Sequence, residues 1–255
     1  MALLMRKTSL YSSSLGPGSN TLIRTFCNSY FGKSPSGASF QPARPVGFQP
    51  AEFQEYQSNT MIPFETDFLI FTPHDVDLSR SPLRATLQEE TFVLGAFNPG
   101  LTRLPGGNLL MMVRVAEALR QPVWDNHIHA LRWNATKGFV TDAYDLAKVD
   151  ATDPRKFQIL GHQSKVMALT SISWLLPVEL SPDGFNVVAI HYDKAIIPQA
   201  EYQQYGVEDA RISRVGDLWL MTTCSVSAER HSTTLYESTD GLNYQLKGIV
   251  LDHQN

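Results

Sequence analysis

The run Arg211-Ile-Ser-Arg-Val215, Gly216-Asp217, Leu218-Trp-Leu-Met-Thr-Thr-Cys-Ser-Val226 decides how the rest of the sequence is read. Two stretches rich in β-branched and aromatic residues flank a Gly-Asp pair, the pattern of a two-residue β-hairpin. After a polar break at Ser227 to His231 come Ser232-Thr-Thr-Leu-Tyr-Glu237, the turn Ser238-Thr-Asp-Gly241 and Tyr244-Gln-Leu-Lys-Gly-Ile-Val-Leu251. Four antiparallel strands in succession are therefore expected. The same turn occurs earlier as Ser181-Pro-Asp-Gly184, 57 residues upstream, followed by Phe185-Asn186 where the later copy has Leu242-Asn243. Further out, Asn98 to Val115 resembles Asp209 onward. Leu101-Thr-Arg-Leu104 corresponds to Ile212-Ser-Arg-Val215, and Leu109 to Val115 corresponds to the Leu218 strand. A four-strand unit repeated about every 50 residues is the mark of a β-propeller. Beyond Phe64 few stretches carry an apolar 3.6-residue period, so the expected fold class is all-β.

Composition narrows the function. The 255 residues are 43% hydrophobic and 18% charged, which excludes a wholly disordered chain. A net charge of −4 gives no broad footprint for a phosphate backbone, so nucleic acid is not an expected partner. The longest uncharged stretch in the hydrophobic middle, Val166 to Val178, has 13 residues, short of the roughly 20 a spanning helix needs, so no membrane is expected either. Cys27 and Cys224 lie in regions of different composition and support no disulfide framework, which leans towards a reducing compartment.

Charge is unevenly spread. Met1 to Pro50 holds five basic residues, nine serines and no Asp or Glu, so it carries +5 against −9 for the remainder. Acid-free, Arg- and Ser-rich composition suits an organelle transit peptide; an unstructured extension or a mistaken start site suits it equally. Residues 1–60 are accordingly expected to be disordered or transit-like, and residues 61–255 to form the folded domain. The compartment is cytoplasmic, or organellar if the leader is a transit peptide.

Three segments, Phe97-Asn98-Pro99-Gly100, Leu110 to Val115 and Tyr205 to Ile212, together resemble glycoside hydrolase and phosphorylase family 130, the β-1,4-mannosyl phosphorylases and β-mannosidases. Phe97-Asn98-Pro99-Gly100 looks like the family's first-blade Asn-Pro motif. Leu110-Met-Met-Val-Arg114-Val115 looks like its next strand, ending in a sugar-binding Arg. Tyr205-Gly206-Val207-Glu208-Asp209-Ala210-Arg211-Ile212 is similar to the Gly-x-Glu-Asp-Pro-Arg signature, with Ala210 where Pro is usual. The resemblance implies a five-bladed β-propeller that cleaves β-mannosides with inversion, by phosphorolysis or hydrolysis. It implies an oligosaccharide or β-mannoside substrate, no cofactor, and inorganic phosphate as co-substrate in the phosphorylase case.

About fifty residues, Ala116 to Lys165, separate the Arg114 strand from the strand leading to Ser181. They are read as an insertion at the propeller mouth that either shapes the leaving-sugar subsite or only packs. The insertion contains a strand candidate, His127 to Trp133, and an acidic helix or turn region, Asp142 to Asp153. Five blades at this spacing need on the order of 250 to 285 residues. Only 164 run from Phe92 to Asn255, enough for about two blades plus the insertion. The expectation is the N-terminal part of a longer protein, poorly stable or inactive by itself.

Glycosidic cleavage passes through an oxocarbenium-like transition state and needs a positioned acid to protonate the leaving oxygen. In the resembled family that acid is the Asp of the signature, here Asp209, whose proton is thought to pass through a hydroxyl of the bound sugar. Glu208 would raise the pKa of Asp209 if both faced one cavity. Adjacent strand residues point to opposite faces, however, so one of the two instead anchors a hydrogen bond or ion pair, with Arg211 as a candidate partner. Asn98 and Arg114 would hold sugar hydroxyls, the alternatives being an Asx-turn before Pro99 and a surface ion pair, and Glu208 is counted with them as a substrate-binding residue. Trp219 is expected in the core. His127 and His129 lack a third ligand at metal spacing and the Asp75/Asp77 loop reads as solvated, so no metal site is expected. The competing function is a non-catalytic sugar-binding or scaffold propeller, or an inactive fragment of such an enzyme.

Overall fold

The structure, a computed structural model, describes residues 3–11, 21–25, 62–153, 155–161 and 167–253, with side chains from 67 to 252 within those ranges. The chain divides into two units, Arg6–Asp67 and a larger one of Met1–Met5 with Phe68–Asn255. Strands β1 (Leu3–Tyr11), β2 (Thr21–Thr25) and β3 (Ile62–Phe71) make a three-stranded sheet in the order β2-β1-β3. Two strands thus fall inside the leader expected to be disordered; its other residues lie outside the described ones. A composition averaged over fifty residues does not register two short runs containing Leu, Thr, Ile and Tyr.

In the larger unit, β4 (Thr91–Arg103) and β5 (Leu109–Leu119) form a hairpin. Then come β6 (Val123–Trp124), β7 (His127–Asn134) and β8 (Gly138–Asp145), a small sheet in the order β6-β7-β8. Next, β9 (Val149–Asp153), β10 (Lys156–Ile159) and β11 (Met167–Leu169) form a second small sheet in the order β11-β10-β9. The chain continues as β12 (Ser171–Leu180) and β13 (Val187–Ile190), and ends in β14 (Gly206–Val215), β15 (Leu218–Val226), β16 (His231–Ser238) and β17 (Gln245–His253). Among the described residues the only helical pieces are 3₁₀ turns of three or four residues, and no helix is long and apolar enough to cross a membrane.

Two four-stranded antiparallel meanders emerge, β4-β5-β12-β13 and β14-β15-β16-β17. They are linked by a single parallel pair, Ser173 with Gly206. The second is the four-strand unit expected from Arg211 onward. The first is built alike, with its third strand displaced in sequence by β6 to β11. Both turns of the repeat close the same way. Ser181 Oγ bonds Asp183 at 2.5 Å and Ser238 Oγ bonds Asp240 at 2.9 Å, and Gly184 and Gly241 follow with φ of 80° and 79°, where a Cβ is costly.

The meanders pack through Leu110, Met112 and Leu175 on one side and Val207, Trp219, Met221 and Tyr236 on the other. Trp219 lies in this core as expected, its Nε1 donating to the Arg103 carbonyl at 3.3 Å. Strand β5 is buried on both faces at every position except Arg114, which is partly exposed. A second cluster, including Ile128, Phe157, Tyr205 and Val226, ties the two small sheets to the meanders.

Two boundaries differ from expectation. Ala116 to Leu119 continue β5, Ala116 to Ala118 pairing with β12 and Leu119 with Thr91 of β4, so they belong to the first meander rather than to an insertion. Glu117, a charge in an otherwise apolar run, hides that continuation in the sequence. Asp142 to Asp153 is no helix: β8 runs to Asp145, one 3₁₀ turn covers Leu146–Lys148, and β9 follows.

Candidate active site

The local geometry starts with two bulges. β4 loses register between Phe97 and Gly100, and β14 between Glu208 and Arg211. Asn98 (φ 45°) and Asp209 (φ 53°) occupy the left-handed region at these corresponding points of the two meanders, a conformation Asn and Asp tolerate better than most residues. Gly100 allows the bulges to meet: a Cβ there would lie 2.8 Å from the Ala210 carbonyl oxygen. As a result Asn98 Nδ2 donates to Asp209 Oδ1 at 2.9 Å.

Arg114 joins the two carboxylates. Its Nη1 donates to Asp209 Oδ1 at 3.0 Å, its Nη2 to Glu208 Oε1 at 2.6 Å and its Nε to Ser173 Oγ at 3.2 Å. Ser173 Oγ in turn donates to Glu208 Oε1 at 2.9 Å, and the Phe97 ring lies 4.7 Å from Arg114 Cζ. All four residues marked by the sequence, Asn98, Arg114, Glu208 and Asp209, converge on one cluster.

The alternation argument for Glu208 and Asp209 fails here. The bulge breaks the two-residue period, so both carboxylates turn towards the same guanidinium. Arg211 takes no part and donates to the Ala210 carbonyl instead. Nor is Arg114 a surface pair, because its side chain is only 17% exposed.

Burial pushes the Glu208 carboxyl above the usual range and Asp209 adds to this, while Arg114 and the Ser173 hydroxyl act the other way. Cys224, paired across the strands with Glu208, has its thiol pushed up to about 11 by burial and the two carboxylates, so it stays a protonated thiol near neutral pH.

A cavity of about 270 Å³ opens beside the cluster, walled on one side by Phe97, Arg114, Ser173 and Glu208. Asp153, Arg155 and Lys156, from the β9-β10 connection, wall the other side. Arg155 bonds hold the Asp153 carboxyl down to about 2. Asp209 does not line the cavity; it is 36% exposed and reaches the wall through Arg114.

Sequence reasoning missed Ser173; it quoted Phe97 only as part of a motif, and it placed Asp153, Arg155 and Lys156 in an insertion at the mouth without singling them out. The Ser171-Ile-Ser173 pair of small polar residues inside an apolar run was the available signal for the first. The remaining candidates have structural roles. His129 stacks on Trp124, and Asp75 and Asp77 accept bonds from Thr72 and Ser79 in short turns. Among the described residues no group of three His, Cys, Asp or Glu is placed to hold a metal.

No protein-family model matches the chain. A β-1,2-mannobiose phosphorylase of Listeria innocua is 29% identical over 168 residues, covering 64% of this chain and 46% of that protein. A solved structure of Listeria innocua β-1,2-mannobiose phosphorylase, in complex with β-1,2-mannobiose, aligns with a TM-score of 0.57 and 27% identity over 71% of this chain and 48% of the other. The chain is thus similar to a family 130 β-mannoside phosphorylase, as the three segments implied. It spans about half the length of the family 130 proteins it matches.

Proposed function

We propose that the protein is a carbohydrate-active enzyme that cleaves β-mannosides by phosphorolysis with inversion, using Asp209 as general acid. The observation carrying this reading is the Arg114 cluster, in which two bulges from separate meanders deliver Asn98 and Asp209 to one guanidinium beside a cavity. The two meanders are then blades of a propeller, five-bladed as in the resembled family, with β4 and β14 as the inner strands.

In the proposed reaction a β-linked mannosyl ring is held by Asn98 and Arg114. Arg114 commits three of its five N–H groups within the protein, leaving one on each Nη for sugar hydroxyls. As the C1–O bond breaks, its electron pair goes to the leaving oxygen, which takes the Asp209 proton through a sugar hydroxyl. A phosphate oxygen forms the new bond to C1 from the opposite face, giving an α-mannosyl phosphate and a free sugar.

An inverting hydrolase needs a second carboxylate roughly 6.5 to 9.5 Å across the ring to activate water. Glu208 shares a guanidinium with Asp209 and lies on the same side, so it does not fill that role. Phosphate, already an anion, needs no such base. The β9-β10 wall of Asp153, Arg155 and Lys156 lines the far side of the cavity and would border the leaving-sugar subsite.

The test is turnover of β-mannobioses, the β-1,2-linked isomer first, with and without inorganic phosphate. Phosphate-dependent release of mannosyl phosphate is expected. Equal turnover without phosphate would make the protein a hydrolase, and binding without turnover would make it a sugar-binding module.

A further inference from the structure

We infer that Ser173 is a positioning residue whose hydroxyl sets the orientation of the Arg114 guanidinium towards Asp209. This rests on the reading of Asp209 and Arg114 given above. Ser173 lies on β12, is 3% exposed and belongs to none of the three segments that carry the resemblance. Its one hydroxyl uses both functions inside the cluster, accepting from Arg114 Nε at 3.2 Å and donating to Glu208 Oε1 at 2.9 Å.

A guanidinium is a rigid planar fork, so fixing Nε and one Nη fixes where the other Nη points. Here Ser173 fixes Nε, Glu208 fixes Nη2, and Nη1 is left facing Asp209. The serine itself is held by backbone. Its N–H donates to the Tyr205 carbonyl at 3.3 Å, and Gly206 (φ 127°) approaches so closely that a Cβ would lie 2.5 Å from Ser173 N and 2.4 Å from its carbonyl oxygen. That contact joins the two meanders two residues before Glu208, so the hydroxyl stands at a fixed place relative to both carboxylates.

Removing the hydroxyl leaves Nε without its acceptor and Glu208 without one donor. Glu208 is faced also by Asp209 on its own strand, Cys224 on β15 and His231 on β16. Of the groups around it, Arg114, Ser173 and His231 favour its charged form. Loss of the serine donor therefore moves Glu208 protonation to higher pH, where its grip on Nη2 is lost earlier.

The experiment compares the wild type with Ser173→Ala and Ser173→Thr in two readouts, the pH profile of kcat/KM on a β-mannobiose and the carboxyl titration of Glu208 by ¹³C NMR in the unliganded protein. For Ser173→Ala, kcat/KM should fall roughly ten- to a hundred-fold, mostly in kcat, since small misplacements near the chemistry carry costs of this size. The acid limb of the profile and the Glu208 titration should both move to higher pH, and Ser173→Thr should restore most of each, with both variants still folded at the assay temperature and the unfolding midpoint of Ser173→Ala lowered by a few degrees. An unmoved Glu208 titration in Ser173→Ala overturns the inference whatever the activity. If the wild type turns over no β-mannoside, the proposed reaction falls, and the titration still decides the role of Ser173.

Discussion

Asp209→Asn is expected to lower turnover of a β-mannoside by about 10³-fold while sugar affinity stays within a few-fold, because a positioned general acid contributes typically 10² to 10⁴. The substitution isolates the proton. Asparagine keeps the shape and an Oδ1 that accepts from Asn98 and Arg114, and it tolerates the φ of 53° that the bulge imposes. Arg114 keeps Glu208 as its charged partner at 2.6 Å, so no cation is stranded. The Asp209 side chain is 36% exposed, which makes a large change in stability unexpected. Steady-state kinetics with the leaving sugar varied adds a check: substrates with good leaving groups, which need little protonation, should lose less. Wild-type turnover in Asp209→Asn would remove the proposed acid.

The largest effect on stability is expected at Glu117, three residues along β5 from Arg114. Its carboxylate is fully buried and accepts from Ser81 Oγ at 2.6 Å, Thr91 Oγ1 at 2.5 Å and Trp174 Nε1 at 3.1 Å, with Arg84 Nη2 at 3.9 Å. These partners come from the turn before β4, from β4 and from β12, so one carboxylate ties three segments around β5. Glu117→Ala strands these donors in the interior and leaves a cavity. A hydrogen bond to a charged group contributes about 1.5 to 3 kcal/mol, and Glu117→Ala, which removes three of them, should cost about 3 to 5 kcal/mol. At about 2 to 4 °C per kcal/mol for a chain this size, the thermal midpoint should fall by roughly 10 °C. Urea unfolding followed by tryptophan fluorescence measures it directly, Trp174 being one of the donors. A loss below about 1 kcal/mol would mean that the donors find other partners and that the network does not hold β5.

Much of the architecture was legible because the repeat uses the same local chemistry twice. Ser-x-Asp-Gly closes by the same side-chain bonds in both meanders, and Asn98 and Asp209, matched in sequence, sit at matching bulges. The convergence of Arg114 with Glu208 and Asp209 was half legible. A charge in the apolar run Leu109 to Val115 has to find a partner, but strict alternation put the two carboxylates on opposite faces. A non-glycine residue at positive φ breaks that alternation without leaving a mark in the sequence.

Ser173 was hidden for a related reason. A serine in an apolar run reads as a tolerated small residue until β5 supplies a donor, Arg114, and β14 an acceptor, Glu208. The extent of the inserted sheets was blurred by Glu117, whose buried network makes a charged residue part of a core strand.

The central claim is that the Arg114 cluster is where the sugar binds. Its most direct test is a crystal structure of the protein with β-1,2-mannobiose. A mannosyl ring is expected in the cavity beside Phe97 and Ser173, with hydroxyls on Arg114 and Asn98 and the glycosidic oxygen turned towards Asp209. A sugar bound elsewhere, with Asp209 still closed onto Arg114 and Asn98, would contradict it.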